Sequence, residues 1–233
     1  MNNQQIALIT GASRGIGLAT AQCFQEQGWQ VVNLSRQPCQ LPEVINLSVD
    51  LADPHWQQQS GAIRGALKSA TRICLVHNAG ILFKDSVDEL PEAQLRKTLE
   101  VNVVAPALLN QIVLPLMKKD SSIIYVGSTL STKAAPKTAS YVMSKHALLG
   151  LMRSTQQDLF GKGITSVCIC PGFTDTDMVR ELLQGHEANY QMASAMASAN
   201  RMAEPREIAE TIYFCATHPV VDGAVLHANL GQK

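Results

Sequence analysis

The sequence has no C-x-x-C pair, no H-E-x-x-H motif and no cluster of cysteine with histidine. Its cysteines (Cys23, Cys39, Cys74, Cys168, Cys170 and Cys215) are scattered, as are its histidines, so no metal site is expected. The thiols read as reduced and mostly buried, which points to a cytoplasmic protein. Net charge is missing too. Lys plus Arg number 19 and Asp plus Glu number 19, so no long-range field draws the chain to nucleic acid or to an anionic membrane. No apolar run is expected to span a bilayer. The start, MNNQQIALIT, lacks a basic stretch followed by a long apolar one, so no signal peptide is expected. Repeats, low-complexity tracts and linkers are absent, and 233 residues are read as one domain spanning 1–233.

What is present is a regular alternation. Short apolar runs occur at Ile6–Thr10, Val31–Ser35, Val44–Asp50, Ile73–His77, Ile123–Ser128, Thr165–Cys170 and Val225–Asn229. Most are continuous, the pattern of strands buried on both faces. Helix-length segments separate them at 15–27, 55–69, 89–118, 140–161 and 205–217. The order predicts an α/β fold, a doubly wound seven-stranded parallel sheet with helices on both faces. The least regular stretch, about 172–204, is read either as a plain connection carrying a helix or two or as a lid over a site.

The first run leads directly into Thr10-Gly-Ala-Ser-Arg-Gly-Ile-Gly17, which opens a helix. Glycine allows positive φ and close backbone approach. A helix amino terminus offers free N–H groups to a pyrophosphate. A glycine-rich turn between a first strand and a first helix predicts a dinucleotide site on a Rossmann fold. After the second run an acidic residue would bind ribose hydroxyls, but the chain has Ser35 and Arg36 there. A guanidinium suits a 2′-phosphate. The expected cofactor is therefore NADP(H), with Arg14 available to join Arg36.

Tyr141 and Lys145, in YVMSK, fall on one helix face. With TGASRGIG at 10–17, Asp50, Asn78-Ala79-Gly80, Asn102, Ser128 and Pro171-Gly172 in this order, the chain resembles the short-chain dehydrogenase/reductase family over essentially its whole length. Its nearest likeness is to 3-oxoacyl-[acyl-carrier-protein] reductases. The resemblance implies Tyr141 as general acid or base, with Lys145 favouring the phenolate by charge and holding the nicotinamide ribose. It implies Ser128 as the hydroxyl that holds the substrate carbonyl and Asn102 as the organiser of a relay water. Cofactor contacts are implied for Gly11, Ser13, Arg14, Gly15, Ile16, Gly17, Ser35, Arg36, Asp50, Leu51, Asn78, Ala79, Gly80, Tyr141, Lys145, Pro171, Gly172 and Thr176.

The resemblance implies hydride exchange between NADP(H) and a carbonyl or secondary alcohol. The substrate would be a small molecule or an acyl thioester, and the assembly a homodimer or homotetramer. Alternatives on the same fold are a regulatory protein that binds dinucleotide without turnover, and an epimerase or dehydratase running on bound cofactor. Met178, Leu182, Leu183, Met192 and Met196 either line an adaptable pocket or pack the lid on the core. Lys119 and Lys162 are read as carrier-protein contacts or as solvated lysines. One departure stands out: His77 replaces the family's usual asparagine before Asn78. It is expected to be a hydrogen-bonded interior histidine.

Overall fold

The computed structural model describes residues 4–232. Seven strands, β1 (Gln5–Thr10), β2 (Gln30–Ser35), β3 (Ile45–Ser48), β4 (Arg72–His77), β5 (Ser122–Val126), β6 (Thr165–Pro171) and β7 (Val225–Ala228), pair in the order β3-β2-β1-β4-β5-β6-β7. Every pairing is parallel. The chain leaves β1 towards β2 on one side and returns to β4 on the other. This reversal opens a crevice beyond the carboxyl ends of β1 and β4.

Successive side chains of a strand point to opposite faces, and β1 divides accordingly. Ile6 and Leu8 enter one core, which holds Ile63 and Leu67 of α2 (Ser60–Leu67), Leu109 of α4 (Ala105–Val113) and Met152 of α5 (Ala139–Asp158). Ala7 and Ile9 enter the other, against Phe24 of α1 (Gly15–Glu26) and Ile212 of α8 (Pro205–Thr217). Burial on both faces explains why the central strands read as unbroken apolar runs. The edge strands do not follow the rule. Most of β3 is exposed and β7 is half-buried. The third run, expected over Val44–Asp50, makes a ladder only from Ile45 to Ser48, where one neighbour is available.

The segment expected as one helix over 89–118 is more varied. It comprises α3 (Glu92–Leu99), a π-helical turn (Glu100–Val104), α4 and a short 3₁₀ turn (Leu114–Leu116). These form a continuous helical stretch, Glu92–Leu116, in which an 18-residue window has a mean hydropathy of 1.5, long and apolar enough by composition to cross a bilayer. That corrects the expectation that no such run exists. Its apolar content has a local cause: Val101, Ala105, Leu109, Ile112 and Val113 are buried in the fold. The irregular region 172–204 folds into α6 (Asp177–Leu183) and α7 (Glu187–Ala195).

Candidate active site

A cavity of about 690 Å³ occupies the crevice. The glycine loop forms its floor. Gly11 and Gly15 have positive φ, +71° and +56°, a conformation that costs other residues free energy. Gly17 lies behind the lining. A Cβ there would fall 2.1 Å from the Gly11 carbonyl oxygen and 2.5 Å from Asn78 Nδ2, so its hydrogen is what lets α1 pack against the loop. Ser13, Arg14 and Ile16 line the cavity beside Gly11 and Gly15.

Polar braces hold this loop to the neighbouring strand ends. Asn78 Nδ2 donates to the carbonyls of Thr10 (2.9 Å) and Gly11 (3.1 Å). Thr10 Oγ1 accepts from the amides of Asn78 (3.0 Å) and Ala79 (2.9 Å). Asn33, buried in β2, accepts from the Ala12 amide at 3.0 Å and donates to the Gln37 carbonyl and to Asn46 Oδ1. The sequence analysis missed Thr10 and Asn33. The signal for Asn33 was a lone amide inside an apolar strand, VVNLS.

Ser35 and Arg36 line the end of the cavity beyond β2, with Gln37, Pro38 and Gln40, which sequence reasoning did not single out. Arg36 is exposed. Arg14, expected beside it, instead faces α6, with Nη1 3.7 Å from Asp177 and 3.9 Å from Glu181. Asp50 and Leu51 line the adjacent wall, and Asp50 Oδ1 accepts from the Ala52 amide at 3.0 Å. Pro171, Gly172 and Thr176 line the opposite side. A Cβ on Gly172 would lie 2.5 Å from Gln232 Oε1. Thr176 caps α6: Oγ1 accepts from the Val179 amide at 3.4 Å and donates to the Thr174 carbonyl at 3.3 Å. These bonds use the hydroxyl proton and one lone pair, and leave one lone pair of Oγ1 over.

Tyr141 and Lys145 lie one turn apart on α5 and both line the cavity. Lys145 is 4% exposed, so its charge needs a partner. Nζ donates to the Val126 carbonyl at 2.8 Å and sits 5.5 Å from the Tyr141 ring centroid. An ammonium has three donors, and the remaining two are available to a ligand. Gly80 borders the ammonium: a Cβ on it would stand at ordinary contact distance, 3.6 Å, from Nζ.

Ser128 lies two residues beyond β5, not at its last position as expected. It is the extended N-cap of a 3₁₀ turn, and its Oγ accepts from the Leu130 amide at 3.1 Å. That bond uses a lone pair and fixes the oxygen, leaving the hydroxyl proton for a carbonyl in the cavity.

Asn102 is buried in the π-helical turn, an irregularity frequent at functional sites. Its Nδ2 donates to the Ile81 carbonyl and to Ser144 Oγ, both at 2.9 Å, and its Oδ1 accepts from the Ile81 amide at 2.9 Å. Ser144 Oγ in turn donates to the Tyr141 carbonyl at 2.7 Å. The side chain is therefore a strut joining the loop after β4 to α5.

Another strut was not foreseen. Asp85 is buried, with Oδ1 accepting from the Ser140 amide at 3.0 Å and Oδ2 accepting from the Ser140 hydroxyl. A carboxylate is well placed against the amide-rich start of α5, directly before Tyr141.

His77 is buried but only half paired. Nε2 lies 2.8 Å from Asn110 Oδ1, so the ring is interior and hydrogen-bonded as expected, but among the described residues Nδ1 has no partner, so it is not fully satisfied. Burial pulls its pKa down to about 4. All six cysteines are buried and free. Cys168 and Cys170 face the same side of β6 with sulfurs 3.8 Å apart; the contact with Cys170 and burial push the Cys168 thiol up. Among the described residues no group of three or more His, Cys, Asp or Glu is placed to hold a metal ion.

Comparison with known proteins bears on this geometry. The short chain dehydrogenase family model matches residues 5–187. The 3-oxoacyl-[acyl-carrier-protein] reductase of Vibrio cholerae is 28% identical, covering 98% of this chain and 97% of that protein. Protein FixR of Bradyrhizobium diazoefficiens is 31% identical over 98% of this chain and 86% of its own length. A short chain dehydrogenase family protein from Francisella tularensis superposes with a TM-score of 0.88 at 27% identity, over 98% of both chains. A 4-hydroxyisoleucine dehydrogenase solved with NADH and succinate gives 0.88 at 25% identity, also over 98% of both chains. The chain belongs to the short chain dehydrogenase family, oxidoreductases that act on alcohol and carbonyl groups.

Proposed function

We propose that the protein is an NADP(H)-dependent oxidoreductase that reduces a carbonyl to a secondary alcohol, or runs the reverse reaction. The observation that carries this is one cavity lined at once by the glycine loop, Arg36, Ser128, Tyr141 and Lys145. The residues fit the dinucleotide: a positive-φ glycine turn meets a helix amino terminus, and a buried ammonium keeps two donors in reserve. Arg36 at the end of β2, where no carboxylate stands, favours a 2′-phosphate over a bare ribose.

When bound, the nicotinamide supplies the hydride. The protein's part is alignment and proton movement. Ser128 Oγ–H holds the carbonyl oxygen. The Tyr141 hydroxyl gives that oxygen its proton in reduction and takes it back in oxidation. Lys145 would orient the nicotinamide ribose through the donors that its bond to the Val126 carbonyl leaves over. Asn102 and Asp85 fix α5, and hence Tyr141, against the loop after β4.

The relatives named 3-oxoacyl-[acyl-carrier-protein] reductases make a 3-oxoacyl thioester the first substrate to try. On this reading α6 and α7 form a lid over a single domain, the protein works as a homodimer or homotetramer, and its free thiols suit the cytoplasm. The test is Tyr141→Phe assayed by NADPH absorbance over a panel of ketones and 3-oxoacyl thioesters. Turnover should vanish while NADPH binding persists. Full activity in the variant rejects the mechanism. A wild-type protein that binds NADPH but reduces nothing favours the regulatory alternative.

A further inference from the structure

A second cavity, of about 480 Å³, opens between α6, α7 and the loops that follow β4 and β5. Its apolar wall includes Leu182, Leu183, Met192 and Met196. Met192 and Met196 are 64% and 38% exposed, although buried packing is the usual fate of such side chains. Exposed methionines lining a cavity make an adaptable apolar surface. This cavity neighbours the first across one helix. Met178 and Val179 line the cofactor cavity; one turn further along α6, Leu182 and Leu183 line this one.

Its rim carries Lys84 and Lys137. The two loops meet in a parallel bridge between Asp85 and Thr138, so the residue before each, Lys84 and Lys137, also lie side by side. Both lysines line this one cavity, and like charges brought together repel. No acidic residue lines the cavity, and Asp85 is turned inward onto Ser140. Among the described residues neither lysine takes part in an ion pair. Lys137 also holds a left-handed backbone, φ +58°, which costs a residue with a long side chain about 1 kcal/mol or more. The fold thus places two unneutralised cations at the mouth of an apolar cavity, one of them at a strained position.

We infer that this cavity receives the far end of the substrate, an apolar stem that terminates in an anionic group held between Lys84 and Lys137. The inference rests on the proposed carbonyl chemistry for its link to turnover, but its test is a binding measurement. Carboxylate and phosphate share the required chemistry, and the probes separate them. Decanoate, decyl phosphate and uncharged decanamide are titrated into the protein, with and without NADPH, by calorimetry.

One of the two anions should bind about tenfold more tightly than decanamide, as expected for two exposed charge contacts. The preference should shrink in 0.5 M salt. It should disappear in the double variant Lys84→Met/Lys137→Met and return in Lys84→Arg/Lys137→Arg. The tighter anion names the terminal group. Equal affinity for the anions and decanamide, no binding of either anion, or a preference that the methionine variant keeps would overturn the inference. Anion binding as described, together with no NADPH oxidation on any carbonyl compound, would leave this cavity standing and remove the catalytic reading instead.

Discussion

His77 makes the fold sensitive to mild acid. Its ring lies against Tyr125, 4.8 Å between centroids, and its Nε2 meets Asn110 Oδ1. Asn110 Nδ2 donates to Tyr125 Oη at 2.7 Å, which identifies Oδ1 as the acceptor and His77 as the Nε2–H tautomer. Burial lowers the pKa from 6.5 to about 4, and the bond to Asn110 only partly opposes this. The unfolded chain binds a proton on this ring as pH falls through 6.5, whereas the folded chain binds one only near 4. Stability is therefore complete above pH 6.5 and is lost between 6.5 and 4. At about 1.36 kcal/mol per pH unit the full loss is about 3 kcal/mol, of which about 2 kcal/mol falls between pH 7.5 and pH 5. Replacing His77 by asparagine removes the titrating group. Urea unfolding of both proteins at the two pH values measures the effect: the wild type should lose about 2 kcal/mol more than His77→Asn. Equal losses refute the reasoning, as does a doubly protonated His77 ring in nitrogen-15 spectra of the folded protein at pH 6.

Arg36→Ala should raise KM for NADPH by about 10- to 100-fold, the range for losing hydrogen bonds to a charged group, and leave KM for NADH unchanged; parallel changes for both cofactors would remove Arg36 from the selecting role. Gly17→Ala forces a Cβ to 2.1 Å from the Gly11 carbonyl oxygen, so Tm should fall by several degrees with loss of NADPH binding. A variant that melts and binds like the wild type contradicts that packing. Asn102→Ala removes the bonds to the part-buried Ile81 amide and carbonyl and one acceptor bond of Ser144 Oγ and should cost about 1–3 kcal/mol in unfolding experiments. Its kcat should fall more than its KM for NADPH, because α5 loses its strut while the glycine loop does not. A stability within error of the wild type would show that water replaces the side chain freely.

The legible and illegible parts of this molecule differ in the range of the interactions behind them. The central strands were readable because burial on both faces writes an unbroken apolar run, and the shared placement of Tyr141 and Lys145 because one helical turn separates them. The edge strand β3 was overextended, since composition does not record how many neighbours a strand has. The π-helical turn at Glu100–Val104 left no trace, because i→i+5 and i→i+4 bonding draw on the same residues. Most opaque were the struts. Asp85 and Ser140 are 55 positions apart and Arg14 finds its carboxylates on α6, so no periodicity or local spacing announces either. His77 belongs with them: the sequence marked it as unusual, but its half-paired state depends on Asn110 and Tyr125, which reach it from α4 and β5. Local chemistry names many of the groups that line the cavity. The polar side chains that hold those groups in place are chosen by contacts between distant segments, so only the folded geometry can identify them.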